Sequence, residues 1–187
     1  IGIDNFLRRR LVNKHSKKEF KKVYSMKERI KELKSFKKKN FEFHKIDILD
    51  KKKTYNLIKK FKPDVIFHLA SQPSAPFANE SLENSIFTSK NNNLGTLNLL
   101  WCLKELNLNN TLFVETTTTG TYGSPNLKIP EGEINYKKNK ILFPGMGHSW
   151  YHITKSNDIN YLWLANKLWG LPIIDFRTAI TLGSRTK

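Results

Sequence analysis

Between Pro63-Asp64 and the prolines Pro73 and Pro76 the chain runs Val65-Ile66-Phe67-His68-Leu69-Ala70, a short and nearly continuous apolar stretch. Such a run bounded by turn residues predicts a strand buried on both faces, the kind found in parallel sheets with helices covering each side. The flanking sequence fits that frame. Strand-like stretches fall at Ile1 to Ile3, Phe41 to Ile46, Leu112 to Glu115 and Pro172 to Arg177. Helical periodicity runs over Lys51 to Phe61, Ser81 to Leu106 and His148 to Trp169, the last stopped by Gly170. Lys14 to Lys39 is basic and helical in part, with a narrow stripe of Ile30, Leu33 and Phe36. Alternating strands and helices imply right-handed crossovers, so the fold class is α/β with a Rossmann-type doubly wound parallel sheet. Ligands of such sheets bind beyond the carboxyl ends of the strands, where Asp4, Asp47, Ala70 and Thr118 would emerge. Gly95, inside a helical stretch, costs about 1 kcal/mol relative to alanine, so a close contact is expected there. The segment from Ser124 to Gly147 reads as a long loop over a site.

Tyr151 and Lys155 are four residues apart in a helical stretch, so their side chains leave one face of one helix. An ammonium beside a phenol favours the phenolate, so the Tyr151 pKa is expected to fall from about 10 toward neutrality. Thr118, following Leu112-Phe113-Val114, would bring a hydroxyl to the same place. A hydroxyl, a phenol and an ammonium together suit oxidation of a sugar hydroxyl by a nicotinamide. Asp4-Asn5 stands where a dinucleotide fold holds the adenosine ribose, and its charge favours NAD over NADP. Arg8, Arg9 and Arg10 follow directly, and guanidinium groups there could instead accept a 2′-phosphate.

Lysine and arginine number 33 against 16 acidic residues, a formal charge of +17. The lysines lie in short scattered runs such as Lys37 to Lys39 and Lys51 to Lys53. No zinc spacing or RNA-binding aromatic motif accompanies them, so solvated helix faces are expected and a specific nucleic-acid partner is not. The single cysteine, Cys102, sits in the run Leu99-Leu100-Trp101-Cys102-Leu103 and is expected to pack in the core. No apolar stretch approaches 18 residues, so a soluble, reducing, cytoplasmic setting without membrane insertion is expected. The chain opens on Ile1 without a methionine, in what reads as a second strand. Residues 1–187 are therefore expected to be a fragment of a longer protein, a partial NAD-binding domain lacking the first strand with its Gly-rich turn; the resemblance described below implies that a C-terminal substrate domain is missing as well. Without that turn the pyrophosphate loses a helix N-terminus, and these residues alone are expected to bind NAD poorly.

Several stretches together resemble the extended short-chain dehydrogenase/reductase superfamily of nucleotide-sugar enzymes. They are Asp4-Asn5, Asp47-Ile48, Ser74-Ala75-Pro76, Asn91-Asn92 before Leu94-Gly95-Thr96-Leu97-Asn98, and Tyr151-His152-Ile153-Thr154-Lys155 with Asp158. Tyr122-Gly123-Ser124-Pro125-Asn126 and the histidine after Tyr151 narrow the likeness to the UDP-sulfoquinovose synthases. The resemblance implies Thr118, Tyr151 and Lys155 as the catalytic set. It implies that Asp4, Asn5, Arg8, Asp47, Ile48, Ala70 and Asn92, with Tyr151 and Lys155, hold NAD. Thr118, Thr119, His152 and Arg177 would meet the substrate, His152 contacting the sugar or sulfite. The implied reaction takes UDP-glucose and sulfite to UDP-sulfoquinovose through a 4-keto sugar, in a full-length homodimer. Thr121 stands where those enzymes carry a glutamate, Pro73 where they carry an arginine, and Arg177-Thr178 where they carry Asn-Gln. Epimerisation or dehydration of another nucleotide sugar is the alternative. A nucleotide-binding sensor without turnover is a further class, which would not need Thr118, Tyr151 and Lys155 together.

Overall fold

Helix starts in this chain are set by side-chain caps. Asp50 accepts from the Lys53 N–H, Ser74 from Phe77, Ser81 from Asn84 and Ser149 from His152. Each satisfies a backbone donor that the first turn leaves open. The computed structural model describes residues 1–7, 26–35, 41–123, 133–142 and 146–179. Arg8 to Arg10, Phe36 and Ser124-Pro125-Asn126 lie outside them. The elements are β1 (Gly2–Ile3), α1 (Met26–Ser35), β2 (Phe43–His44), α2 (Lys51–Phe61), β3 (Val65–His68), α3 (Ala75–Glu80) and α4 (Leu82–Ser89). A π-helical turn, Lys90–Leu94, leads into α5 (Gly95–Glu105). Then come β4 (Leu112–Thr118), a 3₁₀ turn (Thr119–Tyr122), β5 (Glu133–Tyr136), β6 (Asn139–Leu142), α6 (Trp150–Trp169) and β7 (Ile173–Thr178).

All pairings among β1, β2, β3, β4 and β7 are parallel, as the α/β reading requires. β1 pairs with β2, and a second sheet has the order β3-β4-β7. The core lies between that sheet and the inner faces of α2, α5 and α6, where Ile58, Leu100, Leu103, Phe113, Leu162 and Leu171 meet. Cys102 is fully buried there, and burial pushes its thiol up to about 11, in keeping with a packing role.

Four expectations need correction. The stretch from Ser81 to Leu106 is helical as expected but not α-helical throughout: Ser81 caps α4, and a π turn at Lys90–Leu94 joins α4 to α5. The segment from Ser124 to Gly147 is not all loop, because β5 and β6 form an antiparallel hairpin with Lys137 in the left-handed region at its tip. The helix that carries Tyr151 starts at Trp150, with Ser149 as its cap, two residues later than expected. β3 is not covered on both faces: His68 is buried, whereas Val65 and Phe67 are 41% and 68% exposed. Among the described residues β3 has a partner strand on one side only.

Gly95 meets its expectation of a close contact. A Cβ there would stand 2.3 Å from Ile48 Cδ1, and Ile48 is itself buried. Gly95→Ala is expected to destabilise the protein by about 1–3 kcal/mol through overpacking, despite alanine's better helix propensity. Urea unfolding checks this, and Ile48→Val, which removes Cδ1, should recover part of the loss.

Candidate functional site

Parallel strands place their carboxyl ends along one edge, and several of the expected site residues follow those ends. Asp4 is exposed just past β1, its Oδ1 accepting from the Phe6 N–H at 2.7 Å. Asn5 Nδ2 donates to Asp47 Oδ2 at 2.9 Å, tying the end of β1 to the end of β2. Asp47 Oδ1 accepts from the Leu49 N–H. Ala70 is exposed two residues after β3. Ile48 differs, since its side chain packs under Gly95 and its carbonyl accepts from Asn98 Nδ2 at 3.0 Å.

The π turn brings three buried asparagines into register with their neighbours. Asn92 Oδ1 accepts from the Gln72 N–H at 2.7 Å, and Asn92 Nδ2 donates to Thr154 Oγ1 at 2.9 Å. Asn93 Nδ2 donates to the Thr154 carbonyl at 2.7 Å and to Asp158 Oδ1 at 2.9 Å. An i→i+5 turn rotates the side chains that follow it relative to a regular helix, and such bulges collect at functional sites. Here the rotation lets one short segment grip both the loop after β3 and the helix α6.

Tyr151 and Lys155 lie on one side of α6, as their spacing predicts. Lys155 is 2% exposed, its Nζ donating to Glu115 Oε1 at 3.0 Å and lying 3.3 Å from Asp158 Oδ2. Burial draws the Lys155 pKa down, but Glu115 and Asp158 outweigh it and the ammonium is held charged. The expected fall in the Tyr151 pKa does not occur. Burial of the half-buried phenol raises it, Lys155 opposes that rise, and the two carboxyl groups behind the lysine add to it. The ammonium does favour the phenolate, but it is shared with acidic groups and the phenol is desolvated.

Thr118 ends β4, and its Oγ1 accepts from the Gly120 N–H at 3.2 Å, so it caps the 3₁₀ turn. Thr119, the first residue of that turn, is exposed. Gly120 lies against the His152 ring, with room for no Cβ: one would stand 2.1 Å from His152 Cδ2. Ser149 Oγ accepts from the His152 N–H at 3.2 Å and is hydrogen-bonded to His152 Nδ1 at 2.7 Å, which fixes the orientation of the imidazole. Tyr151 and His148 stack near the same ring, with centroids 5.1 Å and 4.2 Å away. Arg177 Nε donates to Asp175 Oδ2 at 2.8 Å, and its guanidinium also contacts the Tyr122 hydroxyl and ring. An open cavity of about 330 Å³ lies at the start of α6, lined by Asn79, His148, Ser149, Trp150 and Ile153.

Thr118, Tyr151, His152 and Arg177 thus belong to the elements β4, α6 and β7 and the turn between β4 and β5. Asp4, Asn5 and Asp47 lie at the ends of the other sheet. Sequence reasoning assigned no role to Glu115, Ser149 or Asn93. A carboxylate following Leu112-Phe113-Val114 in a buried strand was the available signal, since such a group needs a buried partner. Among the described residues no helix is long and apolar enough to cross a membrane.

Residues 3–157 match the family model described as GDP-mannose 4,6 dehydratase. The UDP-sulfoquinovose synthase of Sulfolobus acidocaldarius is 31% identical over 100% of this chain and 49% of its own length. The chloroplastic UDP-sulfoquinovose synthase of Spinacia oleracea is 29% identical over 99% of this chain and 39% of its own. The chain therefore spans about half or less of the length of these curated relatives. Among solved structures, a Thermus thermophilus UDP-glucose 4-epimerase in complex with NAD aligns with a TM-score of 0.58 and 26% identity, over 74% of this chain and 41% of that one. The match over most of the chain, together with the parallel sheet and the Tyr151-Lys155 helix, shows that the chain belongs to the GDP-mannose 4,6 dehydratase family, within the extended short-chain dehydrogenase/reductase superfamily.

Proposed function

We propose that the full-length protein is an NAD-dependent enzyme that converts UDP-glucose and sulfite to UDP-sulfoquinovose through a 4-keto sugar. The observation that carries this is the Tyr151-Lys155 pair, one turn apart on α6, the helix packed against β4, which ends in Thr118. Two relatives named as UDP-sulfoquinovose synthases align over nearly the whole chain, which favours this substrate over others.

The residues at the strand ends fit a dinucleotide. Asp4 offers an exposed carboxylate for a ribose diol, the Asn5-Asp47 pair offers polar groups beside it, and Ala70 leaves the backbone accessible. Asn92 acts in this reading by shaping the loop at Gln72, and Ile48 by packing. Arg8 lies outside the described residues, and its place in the cofactor set rests on the sequence resemblance. NAD, when bound, supplies the acceptor and later the donor of the C4 hydride.

Tyr151 takes the C4 hydroxyl proton during oxidation and returns it at the end. Lys155 supplies the positive charge that favours the phenolate, and the Thr118 hydroxyl hydrogen-bonds the oxygen at C4. With C4 oxidised, the C5 proton becomes acidic, water leaves from C6 and sulfite adds there. His152, its ring oriented by the bond between Nδ1 and Ser149, presents Nε2 to the substrate or to sulfite. Thr119 and Arg177 complete the substrate set.

A second reading rests on Thr121, which is buried and donates its hydroxyl to the Thr118 carbonyl at 2.8 Å, so no acid stands at that position. Epimerisation at C4 of another nucleotide sugar shares the initial oxidation and does not need one, whereas dehydration, which also takes the C5 proton, would draw its acid and base from other residues. Incubation of the full-length protein with UDP-glucose and NAD, with and without sulfite, separates the readings by mass spectrometry. A sulfite-dependent gain equal to sulfurous acid less water is expected. Loss of water alone, or an unchanged mass with inverted configuration, favours the second reading, and no turnover of UDP-glucose overturns the first.

A further inference from the structure

β4 carries a carboxyl group at its centre, and the sheet leaves that group no access to water. Glu115 is 0% exposed, and the strand register sets it between His68 on β3 and Asp175 on β7. From α6, Lys155 and Asp158 close over it, 2% and 0% exposed. Lys155 Nζ stands 3.0 Å from Glu115 Oε1 and 3.3 Å from Asp158 Oδ2. Two carboxyl groups therefore share one ammonium in a sealed space.

If both carboxyl groups were ionised, the cluster would hold one uncompensated buried negative charge, which is strongly unfavourable. The neighbours do not supply the missing cation. His68 is buried and pairs with Thr96 Oγ1 at 3.0 Å, and burial, with Lys155 nearby, pulls it down to about 3, so it is neutral. Asp175 is matched by Arg177 and the Thr117 hydroxyl. From α5 and the π turn come only the neutral Thr96 and Asn93, and Tyr151 is a protonated phenol.

A second observation agrees with the charge count. Glu115 Oε2 and Asp158 Oδ2 are both buried with no hydrogen-bond partner. One proton on the carboxyl pair supplies a donor in this space and makes the cluster neutral. Asp158 is met by Asn93 Nδ2 at Oδ1 and faces Lys155 at Oδ2, whereas Glu115 Oε2 faces no cation and no donor, so Glu115 is the carboxyl placed to carry the proton.

We propose that Glu115 is a positioning residue that holds one proton beneath Lys155, and thereby keeps the lysine charge acting on Tyr151 instead of being cancelled from behind. This rests on the reading of Tyr151 and Lys155 as the proton-handling pair. Burial pushes the Glu115 carboxyl up to about 8, with Lys155 opposing and Asp158 reinforcing the shift. When Glu115 loses its proton, its negative charge raises the Tyr151 pKa further and the phenolate becomes harder to form.

The test uses the full-length protein and two readouts. Infrared difference spectroscopy without substrate should reveal a protonated carboxyl band at neutral pH that disappears on alkaline titration and is missing in Glu115→Gln. The glutamine keeps an acceptor for Lys155 and supplies a fixed N–H donor on the side of Asp158. In that variant the alkaline limb of the kcat profile should move upward by about one pH unit or more. Asp158→Asn, which leaves Glu115 as the sole counter-charge, should abolish the band at neutral pH while wild type retains it. Absence of a titrating band in wild type, a band that persists in Glu115→Gln, or coincident alkaline limbs would each overturn the proposal. Full activity in Tyr151→Phe would instead defeat the underlying site reading, and the infrared result would still decide where the proton lies.

Discussion

Tyr151→Phe is expected to lower kcat of the full-length protein by about 10²–10⁴-fold while changing KM little, because it deletes one hydroxyl and keeps the ring. The ring packs beside His152, so the variant should retain the fold of α6. Steady-state kinetics on UDP-glucose and circular dichroism on the same preparation check the two halves of this statement. A drop confined to KM would mean that Tyr151 binds the sugar without handling its proton.

Lys155→Met is expected to lose both activity and stability. Removing one partner of a buried ion pair leaves the other charge uncompensated and destabilises by about 3–5 kcal/mol. In this variant Asp158 and Glu115 remain buried with no cation, and Glu115, already pushed up by burial, loses the neighbour that opposed the rise. The sign follows from linkage. A carboxyl with a raised folded pKa favours folding fully below its unfolded value, and that contribution is lost as pH rises through the folded value. Lys155→Met should therefore unfold in urea more readily at pH 8 than at pH 5. Adding Asp158→Asn should restore much of the stability at the higher pH, without restoring turnover. In wild type the raised Glu115 carboxyl acts with the same sign, weakening the fold between the ordinary carboxylate range and about pH 8.

The spacing of Tyr151 and Lys155 was legible because a helix places residues four apart on one face whatever surrounds it. The parallel sheet was legible for a similar reason, each strand being a short apolar run between turns. The state of those side chains was not legible, since it depends on which residues of other elements lie behind them. Lys155 meets Glu115 across 40 positions of sequence, and nothing local in Tyr151-His152-Ile153-Thr154-Lys155 announces that contact. The Tyr151 pKa was misjudged because one neighbour was counted and the burial and the two acids were not. The hairpin of β5 and β6 was missed because its polar residues, Asn135, Lys137, Lys138 and Asn139, read as loop composition. The start of the helix at Ser81 was legible in a good capping residue, whereas the π turn at Lys90–Leu94 was not, because its residues keep the helical periodicity.

Among the described residues the outer edge of β3 has no strand beside it, and Phe67 and Leu69 stand 68% and 65% exposed there. The charge of +17 acts at longer range than that apolar patch and makes two copies of this sequence repel before such surfaces meet. That repulsion reaches only about 8 Å at physiological ionic strength and shortens as salt is added. The lysine runs thus act as a colloidal brake whose strength is set by the solvent.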